Sequence, residues 1–319
     1  MNTQEEQRGT KRKNGGRLKV KITKENVFYS FCSTNKPAVS VDAPATIDFE
    51  TMDCFGNQLR KPEDVMEEID WDRINPATGP VFVKGAQPGD ALKVTINKIA
   101  LNEKGTVCCL NGEGTLGERI EGSHTRVTSV SDGVVHYVTA GGLKVDIPVK
   151  PMIGVIGVAP KEGLDINTGT PGKHGGNMDT TMIGEGATLY FPVAVEGALF
   201  GFGDLHAVMG DGEIGVSGLE IPADVNVTID VCKGKAPEYP VLETEDYLAV
   251  IVSKETVDEA CKCATELMQE MIAERTDLET ADIVMLMSLL GDLQICQIVD
   301  PEKTVRFVFP KKYIPGLTF

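Results

Sequence analysis

Hydrophobic and polar positions alternate with a period of two over most of the first 240 residues. In "RLKVKITKENVFYSF" (17–31), Leu18, Val20 and Ile22 share one parity, the pattern of a half-buried strand. "AVSVDAPATIDFETMDCFGNQ" (38–58) predicts two short strands around Ala43-Pro44 and a turn at Gly56-Asn57. Strand–turn–strand units recur at 79–101 around Pro88-Gly89-Asp90, at 132–160 around Ala140-Gly141-Gly142, and at 187–206 around Glu196-Gly197. "ADVNVTIDVCKG" (223–234) sets Val225, Val227, Ile229 and Val231 on one face.

The period changes in the last third. Thr256 followed by Glu259 is a capping-box pattern. Behind it Val257, Ala260, Ala264, Leu267, Met268, Met271 and Ile272 recur at helical spacing. A second helix is predicted from just after Thr280 to Gly291, followed by strands in "LQICQIVD" and "TVRFVFP". The expectation is an α+β, mainly β protein. Its antiparallel strand–turn–strand units would form β-sandwich or barrel-like modules, with a helical hairpin near the C-terminus. The chain divides into a flexible polar arm (1–16), a mainly β body carrying the site (17–240) and an α+β part with two helices packed on that body (241–319).

Composition narrows the functional classes. The 319 residues carry a net charge of −16, which argues against a nucleic-acid partner. No run of about 20 apolar residues predicts a membrane span. "MNTQEEQRGTKRKNGG" lacks the apolar core of a secretory signal, so a cytoplasmic location is expected. The eight cysteines form no CxxC pair and read as reduced thiols.

Candidate chemistry concentrates in "GFGDLHAVMGDGE" (201–213). If this stretch is a strand, period two puts Asp204 and His206 on one face, together with Phe200 and Phe202. A charged pair ending an aromatic face suits a cation bound between carboxylate and imidazole; a hydrogen-bonded Asp–His pair is the alternative. Gly210-Asp211-Gly212-Glu213 reads as a tight turn, with Asp211 in it and Glu213 starting the returning strand as a candidate general base. In "TPGKHGGNMDT" (170–180), His174, Asn177 and Asp179 flank Gly175 and Gly176, whose backbone could cradle an anion; a surface turn is the alternative. Asp53, with Glu50, ends an earlier strand and is a further candidate ligand. His136 reads as structural, and His124 lies in a polar loop. There is no GxSxG elbow and no P-loop. Metal-assisted attack by water remains.

The run "GGNMDTTMIGEGATLYFPVAVEGALFGFGDLHAVMGDGE" resembles the signature region of the acetamidase/formamidase family, with its GGN-[ML]-D, LY-[FL]-PV, EGALF and GD-x-HA-x-x-GDGE motifs. "TGPVFVKGAQPGDALKV", "TIDFETMDCFGNQ" and "ICQIVDPEKTVRFVFPK" extend the likeness over residues 17–312. The resemblance implies hydrolysis of formamide- or acetamide-type amides to carboxylate and ammonia, a homodimer or homotetramer, and a zinc or calcium site. It points to Asn177, Asp179, Asp204, His206, Asp211 and Glu213, with Asp53. Asp204, His206 and Asp53, joined by Asp179 and His174, are the expected metal ligands. Glu213 is the expected base, with Asp211 beside it, and Asn177 with the Gly175-Gly176 backbone the expected oxyanion site. Met209 stands where a glutamine is common in the family, and Leu205 where a glycine is, which marks Met209 as a candidate substrate contact. Hydrolysis of a lactam and non-catalytic metal binding are the competing readings.

Overall fold

The computed structural model describes residues 12–14, 17–61 and 63–319. Of the arm expected over 1–16, only Arg12–Asn14 is described; it pairs antiparallel with Arg17–Ile22, and the rest lies outside the described residues. Two large sheets face one another. The first has ten strands, in the order Arg12–Asn14, Arg17–Ile22, Ala45–Glu50, Ala223–Cys232, Ala91–Leu101, Thr188–Pro192, Val241–Glu243, Tyr247–Lys254, Lys303–Pro310 and Asp292–Gln297. The second runs through Gly175–Asn177, Met152–Gly157, Phe200–His206, Ala77–Lys84 and Val27–Phe28, with Val39–Asp42 also on Ala77–Lys84.

Alternation drives this sandwich. In Ala223–Cys232, Val225, Val227 and Ile229 are buried while Asp224 faces out and Asn226 and Thr228 are half-buried. The buried set joins Ile47, Phe49 and Ile96 of the same sheet against Val81, Ile156, Phe200 and Phe202 of the other. Two pairings are parallel rather than antiparallel: Arg17–Ile22 on Ala45–Glu50, and Val39–Asp42 on Ala77–Lys84.

Helices α1 (Val257–Ala273) and α2 (Thr280–Leu290) cover the far face of the ten-stranded sheet. Thr256 caps α1 as expected: its hydroxyl accepts the Glu259 N–H at 3.3 Å and donates to Glu259 Oε2 at 3.0 Å. Ala260, Ala264, Met268 and Ile272, each four residues apart, bury against Val250, Val252, Val305 and Phe307. The strands from Val241 onward continue the ten-stranded sheet across residue 240. Among the described residues no helix is long and apolar enough to cross a membrane.

A third sheet, of Lys144–Pro148, Val134–Val138, Ser123–Ser131 and Lys104–Leu110, adjoins the second. The join is Glu220, whose backbone bridges to Thr106 on one side and to His206 on the other.

Candidate active site

Strand Phe200–His206 carries the two central groups, but not on the face that strict alternation requires. Leu205 packs in the same core cluster as Phe200 and Phe202, whereas Asp204 and His206 converge elsewhere. The switch occurs at Asp204, which adopts φ +55° inside the strand. A left-handed residue rotates the following side chains, so the aromatic and charged sets part. Opposite Asp204 stands Gly154, where a Cβ would collide with Asp204 Oδ2 and with Asp179 Oδ1. Only glycine leaves room for both carboxylates. Gly218 does the same for the ring of His206, since a Cβ there would strike Nδ1.

The resulting cluster is buried. His206 Nε2 lies 3.1 Å from Glu220 Oε2, 3.4 Å from Asp204 Oδ1 and 3.9 Å from Asp179 Oδ1. The Glu220 approach is an ion-pair distance without hydrogen-bond alignment. Three overlapping sets offer ligand atoms within 4.8 Å of one another: Asp179, Asp204 and His206; His206, Glu213 and Glu220; and Cys54, Asp204 and Glu220. Asp179 (φ +41°) and Glu213 (φ +47°), like Asp204, sit on left-handed backbone, a conformation costly enough to persist only where the surroundings impose it.

One imidazole cannot balance these acids. Burial, reinforced by neighbouring carboxylates, pushes Asp179 and Glu213 well above the usual carboxylate range. Glu220 rises to about 8 through burial, His206 opposing. Asp204 is held low: burial opposes ionisation, and the charge and hydrogen bond of His206 outweigh it. His206 is held well above its ordinary value, because Glu220 and Asp204 overcome the burial that disfavours its cation. Both oxygens of Asp179 and Glu220 Oε2 lack hydrogen-bond partners among the described residues. Unpartnered, desolvated carboxylates cost several kcal/mol each, and a divalent cation removes that cost by replacing protons. The donor set, carboxylates with one imidazole, fits such an ion.

Asp179, Asp204, His206 and Glu213 thus come together as expected. Other expected residues lie outside these ligand sets. Asp53 is buried close enough to Asp204 for their charges to interact; burial raises its pKa to about 6, and its Oδ1 accepts the Asn57 N–H at 2.7 Å, closing its own turn. His174 packs edge-on against Phe31 at 5.1 Å, where burial lowers its pKa to about 4. Asp211 forms a bidentate pair with Arg306, at 2.6 and 3.1 Å, and accepts the Thr181 hydroxyl. The Gly175 N–H bonds to Gly172 O, and Gly176 pairs with Ile156 in the sheet, so neither is free as an anion cradle. Their positive φ and tight surroundings serve close strand approach instead. Met209 is half-buried and away from the cavity wall.

Glu220 and Asp300 complete the site without having been singled out from sequence. The chain does not return at Glu213; Gly212 bridges to Gln297, and the return along strand Phe200–His206 comes at Leu219–Ile221. That displacement is why Glu220, not Glu213, lies beside His206 in the sheet. Asp300, open to the cavity, accepts from Asn177 Nδ2 at 2.9 Å. With Asp300 as the acceptor, Asn177 presents a buried, unpartnered Oδ1. The "VDPEK" stretch carried the only signal, an acid beside a proline in a turn.

These groups form the floor of a cavity of about 490 Å³, with Asn177, Asp204, Glu213, Glu220 and Asp300 along it and Cys54, Phe55, Met66, Trp71 and Leu110 on the wall. A second cavity, of about 370 Å³ beside α1, holds none of them.

The family model described as "Acetamidase/Formamidase family" matches residues 21–168 and 165–252. A formamidase of Methylophilus methylotrophus is 26% identical over 246 residues, covering 60% of this chain and 60% of its own length. The chain spans about three-fifths of the length of the curated formamidases it matches. Two crystal structures superpose closely. A recombinant predicted acetamidase/formamidase from Thermoanaerobacter tengcongensis has a TM-score of 0.89 at 49% identity, covering 94% of this chain and 98% of that one. An acetamidase from Bacillus halodurans has a TM-score of 0.89 at 41% identity, covering 94% and 100%.

Proposed function

The chain belongs to the acetamidase/formamidase family, and on that premise we propose that it hydrolyses a small carboxamide to carboxylate and ammonia on the floor of the 490 Å³ cavity. One observation carries the reading: Asp204, Glu213, Glu220 and Asp300 line the cavity floor, with Asp179 and His206 clustered behind them and several buried atoms of the group unpartnered. Asp179, Asp204 and His206, flanked by Glu213 and Glu220, are the groups that would hold a divalent cation. Such an ion, when bound, polarises a carbonyl and lowers the pKa of water. The single imidazole favours zinc over calcium, whose ligands are oxygens.

Glu213 takes the proton of the attacking water and returns it to the departing nitrogen, a transfer its cavity position and raised pKa suit. Asn177 orients the substrate. Its Nδ2 is held by Asp300, so its Oδ1 accepts from the substrate's NH₂. The second Nδ2–H of Asn177 is the donor that would serve the oxyanion role expected from sequence.

The test is ammonia release from formamide and acetamide by the chelated protein and after zinc is restored. Zinc-dependent release is expected; metal binding at one ion per chain with no release from any amide would overturn the reading. All eight cysteines are unpaired thiols, which supports a reducing, cytoplasmic compartment. Exposed Val284, Met285 and Leu289 on α2, beside Leu293 and Ile295 on the edge strand, support self-association as a homo-oligomer.

A further inference from the structure

The cavity is far larger than formamide or acetamide requires. At about 30 Å³ per water, 490 Å³ holds about sixteen waters, whereas acetamide carries a single methyl group beyond its amide. The wall is also chemically unlike the floor. Phe55, Met66, Ile74 and Leu110 belong to one apolar cluster with Cys54 and Cys108, and Trp71 stands at the lip with 49% of its surface exposed. A wall of this kind gains nothing from a substrate that ends at the floor.

The groove continues outward. Met66, Trp71 and Leu110 also line an adjoining hollow of about 280 Å³ that runs to Asn111, Gly122 and Ser123. Charge constrains the occupant as well. Glu113, Asp204, Glu213, Glu220 and Asp300 line the cavity, and among the described residues no lysine or arginine does. An anionic acyl chain therefore finds no basic side chain on the wall to pair with.

Orientation follows from the floor. Asn177 Oδ1 is a buried, unpartnered hydrogen-bond acceptor, which places the NH₂ of a primary amide on its side. The acyl substituent then points to the apolar wall, and ammonia needs no pocket of its own.

Building on the amide-hydrolase reading above, we propose that the substrate class is primary carboxamides with an uncharged apolar acyl chain, arylalkyl or medium-length alkyl, seated against Phe55, Met66, Leu110 and Trp71. Water adds to the carbonyl carbon, the C–N bond breaks, and the nitrogen leaves as ammonia with the proton that Glu213 carries. The acyl chain itself is untouched.

The experiment compares kcat/KM for acetamide, hexanamide, phenylacetamide and succinamate on the zinc-loaded full chain. Phenylacetamide or hexanamide should exceed acetamide by at least about tenfold, with succinamate the poorest. Trp71→Ala should lower the phenylacetamide-to-acetamide ratio at least fivefold, and Trp71→Phe should restore most of it. Trp71 is the only tryptophan, so its fluorescence reports occupancy directly, and saturable quenching by phenylacetamide is expected. Acetamide turned over with no gain for the longer amides overturns the substrate class and leaves amide hydrolysis standing. Turnover of none overturns hydrolysis, and the substrate class with it. Unchanged Trp71 fluorescence at phenylacetamide concentrations that saturate turnover also overturns the proposed seat.

Discussion

At the scale of single residues, the site depends on atoms that are missing as much as on those present. Gly154 leaves room for Asp179 and Asp204 to approach. Gly154→Ala should therefore cut metal affinity and amidase activity roughly 10–100-fold, the effect typical of disturbing ligand orientation, while the circular dichroism spectrum is retained. His206→Ala removes the one imidazole ligand; a variant that kept both stoichiometric zinc and activity would sink the assignment of the centre. Asp211→Asn tests a different role. It leaves the Arg306 guanidinium, almost fully buried, short of its countercharge, and should cost about 2 kcal/mol in urea unfolding at this partly exposed pair. A catalytic Asp211 would instead lower kcat with stability unchanged.

At the scale of elements, the turns hold the strands in register through side-chain acceptors. Asp90 accepts the Gln87 N–H at 2.9 Å, the Gly234 N–H at 2.9 Å and Lys233 Nζ at 2.8 Å. Burial works against its ionised form, and these donors outweigh it, so its pKa lies below the ordinary value. The sign follows: a depressed carboxyl stabilises the fold fully above its unfolded pKa, near 4, and the contribution is lost as pH falls through the folded value. Asp90→Ala should cost about 1–3 kcal/mol at pH 7 and less at pH 3, as read by urea midpoints at the two values. For α1, Met268→Ala opens the layer between helix and sheet and should cost about 2–5 kcal/mol, checked by thermal unfolding with amidase activity measured below the transition.

At the scale of the molecule, three sheets meet where the acids collect. Glu220 belongs to the seam between two sheets, Asp204 and His206 to a strand of one of them, and Asp300 to the hairpin that ends the ten-stranded sheet. The proposed ion at that junction would tie distant segments together, so its removal should be felt globally. Zinc at about 100-fold over its Kd contributes about 2.7 kcal/mol, and chelation should lower Tm by roughly 4 °C in differential scanning calorimetry. A Tm indifferent to chelator would place the ion elsewhere.

The sequence by itself determined the elements. Alternating valines specify strands because one face must be dry, and a threonine cap with apolar residues four apart specifies α1 wherever it packs. It also determined which motif brings titratable groups together, since Asp179, Asp204, His206 and Glu213 do converge. Tertiary structure alone decided who completes the set. Parity cannot foresee that Asp204 turns left-handed and sends Leu205 to the core. Nor can spacing show that Asp211 is taken by an arginine ninety-five residues away, or that Asp53 Oδ1 accepts a backbone N–H of its own turn. Glu220 and Asp300 are ordinary acids along the chain; burial beside His206 and Asn177 makes them part of a site, and burial is a property of three sheets folded together.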